Sequence, residues 1–243
     1  MEPGAIGTWT SLSDPASAET AAAAGFDFVV IDTEHSPLGL ETVTNCVRAV
    51  ENGGADPVVR TPWNDPVRIK RLLDIGPAGL FVPMVDTAEE AKAAVEAMRY
   101  PPDGVRGVAG SRATGYGRNF EEYVTDTYRD VTLITQLETE TAVENADAIA
   151  GTEGVDGLFV GPADLSASLG VIGQFDHPDL HDAIETVLSA GERTGVPVGT
   201  LGVDRDALEA LGGLDFDYMI AGTDTSHLRS GQERSLSAAE DVL

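Results

Sequence analysis

The sequence predicts an α/β protein folded as a (β/α)8 TIM barrel, and three observations support this prediction. The length of 243 residues is the usual size of one such barrel. Eight short runs rich in Val, Ile and Phe recur along the chain, and most precede a segment with helical features. Runs such as 28–31 and 158–160 are apolar without alternation, as parallel strands covered on both faces are. The predicted strands are residues 5–9, 26–31, 58–61, 79–85, 132–137, 157–160, 197–201 and 218–221.

Residues typical of helix ends separate several of these strands. Asp14 and Asp65 each precede a proline, a combination of N-cap and first helical residue that begins a helix. Glycines that favour a left-handed C-terminal cap follow each of these two segments. The predicted helices run from Asp14 to Gly25, from Asp65 to Gly76, from Thr87 to Met98 and from His177 to Gly195. This regular alternation favours a closed barrel over an open doubly wound sheet, and no linker divides the chain, so we expect one domain over residues 1–243.

One connection, between Tyr100 and Asp130, is longer than the others and contains several glycines. Long irregular loops inside compact domains are usually functional or disordered. The loop carries Arg106, Arg112 and Arg118 in a chain with few cations, and these side chains favour an anion site there. A mobile surface loop is the alternative.

The charge balance excludes several classes of partner. Fifteen Lys and Arg residues stand against 41 Asp and Glu, a formal net charge of −26. Nucleic acids and anionic membranes repel such a surface, so we expect neither as a partner.

Cys46 is the single cysteine, and the sequence begins without a basic and apolar leader, so we expect a reducing cytoplasmic location. Acidic residues spread along the whole chain also favour adaptation to high salt.

Two acidic residues follow neighbouring strands at the end where barrel active sites form. Glu138 follows the fifth predicted strand and Asp164 follows the sixth. Two carboxylates at one mouth repel each other unless a cation lies between them, and oxygen ligands suit Mg²⁺ or Mn²⁺. The alternative is that Glu138 pairs with an arginine and Asp164 caps the next helix.

His35 and Arg60 also follow strands and together favour proton-transfer chemistry. A histidine exchanges protons near neutral pH, and an arginine can hold a carboxylate or enolate oxygen with two hydrogen bonds. The two lysines, Lys70 and Lys92, lie within predicted helices on the outer ring, so a Schiff-base mechanism is disfavoured. Asp74, in the last turn of its helix, is either solvated or orients a histidine across a subunit contact.

Several motifs together resemble the HpcH/HpaI class II pyruvate aldolases, including the enzymes that act on 2,4-dihydroxyhept-2-ene-1,7-dioate and 2-dehydro-3-deoxyglucarate. The likeness covers nearly the whole chain, from residue 7 to about residue 225. The motifs are IDTEH at 31–35, VR at 59–60, KRLLDIG at 70–76, VPMVDTAE at 82–89, RYPP at 99–102 followed by Arg106 and Gly107, and GPADLSASLG at 161–170.

The resemblance implies a barrel of the phosphoenolpyruvate/pyruvate type and a role for each matching residue. It implies that His35 is the base, that Arg60 stabilises an enolate and that Asp74 raises the basicity of the histidine. It implies Glu138 and Asp164 as ligands of a divalent metal, Mg²⁺, Mn²⁺ or Co²⁺, with no organic cofactor. The positions that match the pyruvate-binding residues of the family are Gln136, the backbone amide of Ala163, and Asp164.

The implied reaction is the reversible cleavage of a 4-hydroxy-2-oxo acid to pyruvate and an aldehyde through a metal-stabilised pyruvate enolate. Family members are hexamers built from dimers, so the resemblance implies a homo-oligomer in which residues 226–243 pack on a neighbouring subunit. Residues 110–118 and the stretch after Gly170 depart from the family pattern, and we expect them to contact the aldehyde portion. A malyl-CoA or citramalyl-CoA type lyase and a non-catalytic 2-oxo acid binding barrel remain alternatives.

Overall fold

Eight parallel strands close into a barrel in the computed structural model, which describes residues 3–243. Each strand pairs with the next along the chain, and β8 pairs with β1. The closed barrel predicted from the sequence is therefore confirmed. The strands are β1 Ile6–Thr10, β2 Phe28–Asp32, β3 Asp56–Arg60, β4 Gly79–Val82, β5 Thr132–Leu137, β6 Gly157–Val160, β7 Val198–Gly202 and β8 Tyr218–Thr223.

Eleven α-helices are present within residues 3–243. They are α1 Pro15–Ala23, α2 Leu40–Gly53, α3 Pro66–Leu73, α4 Ala88–Met98, α5 Phe120–Thr125, α6 Glu140–Glu144, α7 Ala146–Ala150, α8 Pro162–Ser168, α9 Pro178–Thr194, α10 Arg205–Leu211 and α11 Asp224–Glu240. The four predicted helix starts are confirmed, because the side chains of Asp14, Asp65, Thr87 and His177 each accept a hydrogen bond from a backbone N–H in the first turn.

The predicted strand boundaries differ from the observed ones in two informative places. The fourth strand ends at Val82 instead of residue 85, because Pro83 has no N–H for the ladder and Met84 adopts a left-handed backbone with φ of 53°. The third strand begins at Asp56, two residues before its predicted start. Asp56 and Pro57 are uncommon in strands, so a pattern based on β-branched residues does not include them.

Side chains inside the barrel form a core separate from the layer between strands and helices. Trp9, Phe28, Phe81, Phe159 and Tyr218 are among the residues that fill the interior. Phe81 and Phe159 meet edge to face with their ring centres 5.0 Å apart. This packing fills the interior of the barrel with side chains.

The long connection after α4 lies at the amino end of the barrel, because α4 ends there and β5 begins there. The guanidinium of Arg106 is buried over the rings of Tyr100 and Tyr123, at 4.7 and 5.5 Å. Arg112 donates to the backbone oxygen of Ile75 at 2.7 Å and pairs with Glu51. Both arginines thus fasten the loop to the barrel, and the expectation that they form an anion site is not supported.

Candidate active site

A cavity of about 150 Å³ opens at the carboxyl end of the strands. The site residues predicted from strands three, five and six meet there: Arg60, Gln136, Glu138, Ala163 and Asp164 all line it. Three larger depressions contain none of these five: two, of about 750 and 640 Å³, lie at the amino end of the barrel, and one of about 300 Å³ lies between the segments that follow β2 and β3. The chemistry of the lining therefore identifies the smaller cavity as the candidate active site.

Arg60 is buried and held on three sides. Its Nε and Nη2 donate to the two carboxylate oxygens of Asp32, both at 2.8 Å, and its Nη1 lies 2.9 Å from Glu34 Oε2. The guanidinium carbon is 4.6 Å from the centre of the Trp9 ring. A guanidinium has five N–H donors, and Asp32 accepts two of them; Glu34 Oε2 is close enough for an ion pair but accepts no hydrogen bond, so further N–H groups remain for a ligand.

Glu138 is a carboxylate held below the mouth, with 4% of its surface exposed. Its pKa is raised to about 7: burial is the largest cause and the charges of Asp164 and Glu34 add to it, while the hydrogen bond from Met84 and the charge of Arg60 act in the opposite direction. Its Oε2 accepts from the backbone N–H of Met84 at 3.1 Å, and its Oε1 accepts from Gln136 Nε2 at 3.2 Å.

The alternative roles considered for the two acids do not match their surroundings. Within residues 3–243 Glu138 makes no ion pair, so it is not the partner of an arginine. Gly161 is the N-cap of α8, which places Asp164 inside the first turn of that helix, where it is exposed and lines the cavity. Both acids remain available to the cavity.

The donor set around Glu138 fits a hard divalent cation. Gln136 is 1% exposed, and its Oε1 has no hydrogen-bond partner although it is buried at the cavity. This amide and the carboxylates of Glu138 and Asp164 line one cavity, and their oxygens are ligands of the kind that Mg²⁺ and Mn²⁺ accept. Within residues 3–243 no three His, Cys, Asp or Glu side chains gather as a metal cluster. A cation held by two carboxylates would keep positions for water and substrate.

His35 lies on the rim, outside the cavity lining. It sits in the bend after β2, its side chain is 70% exposed, and its Nε2 lies 3.8 Å from Glu34 Oε1. Glu34 lies between His35 and Arg60, because its other carboxylate oxygen contacts the guanidinium. Burial raises the pKa of Glu34, and the charges of Arg60 and His35 oppose that shift.

Asp74 is not part of this cavity. It is the C-terminal cap of α3, which runs from the carboxyl end of β3 back to the amino end of β4. Its Oδ1 accepts from Arg106 Nη2 at 3.4 Å. The structure therefore places Asp74 at the opposite end of the barrel from His35 of the same chain.

Three contributors to the site were missed by the sequence reasoning. Trp9 is the last residue of the first predicted strand, so its position could have indicated that it lies at the mouth. Asp32 lies within the IDTEH motif, but the sequence assigns it no role, because its pairing with Arg60 depends on strand register. The backbone N–H of Met84 has no sequence signal, because a left-handed non-glycine residue is not visible in composition.

A closed parallel barrel with acids, an amide and an arginine converging at its carboxyl mouth defines a TIM-barrel enzyme. The sequence matches the family described as HpcH/HpaI aldolase/citrate lyase over residues 5–230, and the chain belongs to this family of carbon–carbon lyases. Among residues 3–243 no helix combines the length and apolar character that a bilayer span requires.

Relatives of known name cover nearly the whole chain. The 5-keto-4-deoxy-D-glucarate aldolase of Shigella sonnei is 42% identical over 230 residues, which are 94% of this chain and 90% of that protein. The structure of a HpcH/HpaI aldolase/citrate lyase family protein from Burkholderia cenocepacia superposes with a TM-score of 0.92 at 38% identity, covering 98% and 95% of the two chains. The HpcH/HpaI aldolase from Desulfitobacterium hafniense has a TM-score of 0.89 at 31% identity, covering 98% and 93%.

Proposed function

We propose that this chain is a divalent-metal-dependent aldolase that reversibly cleaves 4-hydroxy-2-oxo acids, of the 2-keto-3-deoxy sugar acid or 4-hydroxy-2-oxoheptanedioate type, to pyruvate and an aldehyde. The observation that carries the proposal is the convergence of buried Glu138, Gln136 and Arg60 with Asp164 on one cavity. The name of the Shigella relative, an aldolase of a keto-deoxy sugar acid, supports the same substrate class.

Glu138 and Asp164 are the proposed metal ligands, and Gln136, whose amide oxygen has no hydrogen-bond partner, lines the same cavity. When bound, Mg²⁺, Mn²⁺ or Co²⁺ acts as a Lewis acid toward the carboxylate and keto oxygens of a 2-oxo acid. The backbone N–H of Ala163, in the first turn of α8, is the proposed donor to the substrate carboxylate.

Arg60 is the proposed stabiliser of the developing negative charge. As the C3–C4 bond breaks, its electrons pass into the three-carbon fragment and the keto oxygen becomes an enolate oxygen. The N–H groups of Arg60 that Asp32 does not use can donate to that oxygen. The rigid hold on Arg60 fixes the donors before the reaction, which is the condition for a large catalytic effect.

His35 is the proposed base that takes the proton of the C4 hydroxyl, by way of a water molecule. Its position on the rim, beside Glu34, suits exchange of that proton with solvent. The hydroxyl oxygen then becomes the aldehyde carbonyl, and protonation at C3 completes pyruvate.

Asp74 can assist only the His35 of a second copy, because the two residues lie at opposite ends of one barrel. We propose that an oligomer brings them together. The test is to mix inactive His35→Ala and Asp74→Asn proteins and to let their subunits exchange. At a contact between the two variants, one site combines the native His35 of one chain with the native Asp74 of the other. Activity in the mixture supports the proposal, and a mixture as inactive as its parents contradicts it.

The C-terminal helix α11 is the proposed subunit contact. Its 17 residues include no buried one, and Leu228 and Leu236 are 53% and 62% exposed. A chain shortened after residue 225 should lose oligomeric mass in light scattering. A single domain over residues 1–243, the hexamer, the cytoplasmic location and the adaptation to high salt stay predictions.

The reaction is tested with a panel of 4-hydroxy-2-oxo acids in concentrated KCl, with Mg²⁺, Mn²⁺ or Co²⁺ and with EDTA. We expect pyruvate release that EDTA abolishes, and metal-dependent exchange of the pyruvate methyl protons with deuterium. Cleavage of malyl-CoA or citramalyl-CoA thioesters in place of the oxo acids would identify an acyl-CoA lyase. Metal-independent pyruvate binding without proton exchange would identify a non-catalytic barrel.

A further inference from the structure

The candidate cavity has two chemically different sides. Arg60, Gln136, Glu138 and Asp164 form the polar side. The other side is apolar and comes from the connection after α8 and from the segment around the end of β7 and the start of α10. It is lined by Phe175, Leu201, Val203 and Ala207. In so small a cavity, an oxo acid held by the polar residues has its remaining carbons within reach of these apolar side chains.

Phe175 belongs to a short ordered connection between α8 and α9. The backbone N–H of Val171 donates to the backbone oxygen of Ser166 at 2.8 Å, and the N–H of Gly173 donates to Ser166 Oγ at 3.1 Å. Ser166 is fully buried in α8, the helix that carries Asp164. These two hydrogen bonds thus fix the connection to α8.

His181, on α9, holds the other end of this connection. Its Nε2 donates to the backbone oxygen of Phe175 at 2.9 Å. Phe175 is half-buried, packs against the core and still lines the cavity. The backbone of the connection that carries Phe175 is therefore held from both neighbouring helices.

We propose that Phe175 determines which aldehydes this enzyme accepts, by limiting the length of the aldehyde at the apolar side of the cavity, and that His181 is the residue that positions it. This rests on the proposed aldolase function. The free volume of about 150 Å³ leaves room for a small molecule only, so a ring in its wall decides how far a ligand extends. Leu201 and Val203 make the same wall apolar, so this end selects by size and by van der Waals contact.

The test measures kcat/KM for the addition of pyruvate to a series of unbranched aldehydes from two to six carbons. We expect Phe175→Ala to raise the ratio of long to short aldehydes by about tenfold or more, because a pocket of this kind gains about that factor per accommodated group. Phe175→Trp should lower the ratio. Phe120→Ala, which removes a partly exposed ring elsewhere, should leave the ratio unchanged.

The role of His181 is tested by two substitutions and the same ratio. His181→Leu removes the donor to Phe175 and should move the ratio toward that of Phe175→Ala. His181→Gln retains an N–H donor and should preserve the wild-type ratio, a rescue that a general packing role would not produce.

Deuterium exchange at the methyl group of pyruvate, catalysed by the wild-type protein, tests the aldolase function separately from the role of Phe175, because this exchange needs no aldehyde. If the wild type exchanges these protons but neither Phe175 variant changes the ratio of long to short aldehydes, the role of Phe175 is overturned and the proposed function is not. Absence of both exchange and aldol addition in the wild type overturns the proposed function and this inference with it.

Discussion

Asp32 and Arg60 are direct neighbours across the β2–β3 ladder, and their side chains form a bidentate ion pair with both N–O distances at 2.8 Å. Each is the last residue of its strand, so the pair sits at the carboxyl mouth of the barrel. Both side chains are largely buried, at 3% and 8% exposure. The pair thus fixes the orientation of a guanidinium that also lines the cavity.

Asp32→Asn should destabilise the protein by about 3 kcal/mol, because it leaves Arg60 buried with only Glu34 as an ionic partner. Urea unfolding in concentrated KCl measures the difference. Asp56→Asn, an exposed aspartate at the other end of β3, is the matched control and should change the unfolding free energy by less than about 0.5 kcal/mol. Equal effects of the two substitutions would argue against a buried pair.

Arg60→Lys should lower kcat by about 10²-fold or more while the fold is retained. Lysine keeps the positive charge but cannot hold Asp32 with two parallel bonds and still donate to an enolate oxygen. Steady-state kinetics with a 4-hydroxy-2-oxo acid gives the value, and Arg68→Lys, an exposed arginine on α3, is the control. A kcat within threefold of wild type would remove Arg60 from the mechanism.

Glu138→Gln should abolish tight Mn²⁺ binding. The substitution keeps the shape of the side chain but replaces a charged oxygen ligand with a neutral amide, and a hard cation prefers the carboxylate. Electron paramagnetic resonance of free Mn²⁺ measures the affinity without any turnover. Glu140→Gln, two residues further on and exposed, should bind Mn²⁺ as the wild type does, and an equally tight Glu138→Gln variant would exclude Glu138 as a ligand.

Met84→Val should lower the unfolding free energy by about 1–2 kcal/mol and weaken Mn²⁺ binding. Met84 adopts a φ of 53°, which is most unfavourable for a β-branched residue, and this conformation aims its N–H at Glu138. Met84→Gly adopts the same conformation without strain and should bind Mn²⁺ as the wild type does. Similar results for both variants would show that the left-handed backbone has no part in the site.

Asp224→Asn should destabilise the chain by about 2 kcal/mol at neutral pH. Burial raises the pKa of Asp224, but hydrogen bonds from Thr10, Ser11, Leu12 and Ser17 outweigh burial and hold the pKa below its usual value of 3.8. Because the pKa is lowered on folding, the carboxylate stabilises the fold above about pH 3.8 and loses that effect as the pH falls through the folded pKa.

The difference in unfolding free energy between wild type and Asp224→Asn should therefore shrink as the pH is lowered below about 3.8. Asp206→Asn, at an exposed position in the first turn of α10, provides the control at each pH. A difference that is the same at pH 7 and pH 3 would mean that the charge of Asp224 is not what stabilises the junction between β1 and α11.

Much of the fold could be predicted because its signals are local. Each of the eight strands is a short run that can be recognised in isolation, and the caps at Asp14, Asp65 and Thr87 act within one helical turn. Strand ends were less predictable, as at Asp56 and Pro83, because pairing with a neighbour decides where a strand stops.

The site was predictable to the extent that it depends on the order of elements. A parallel barrel brings every strand end to one mouth, so the place of Arg60 and Gln136 at strand ends, and of Glu138 and Asp164 just after strands, predicts that they meet there. The anion site predicted in the connection between Tyr100 and Asp130 is not supported, and the order of elements explains this too. It joins a helix to the next strand, so it lies at the amino end, where Arg106 and Arg112 pair within the chain.

The sequence alone determined the class of fold, the acidic surface and the set of side chains at the mouth, because strand propensity, helix caps and net charge are properties of short segments and of composition. The tertiary structure alone decided the state of those side chains. Strand register paired Asp32 with Arg60, a left-handed Met84 supplied a donor to Glu138, and burial left an oxygen of Gln136 without a partner. Each of these depends on the distance between residues far apart in the chain, which packing sets and a one-dimensional pattern does not contain.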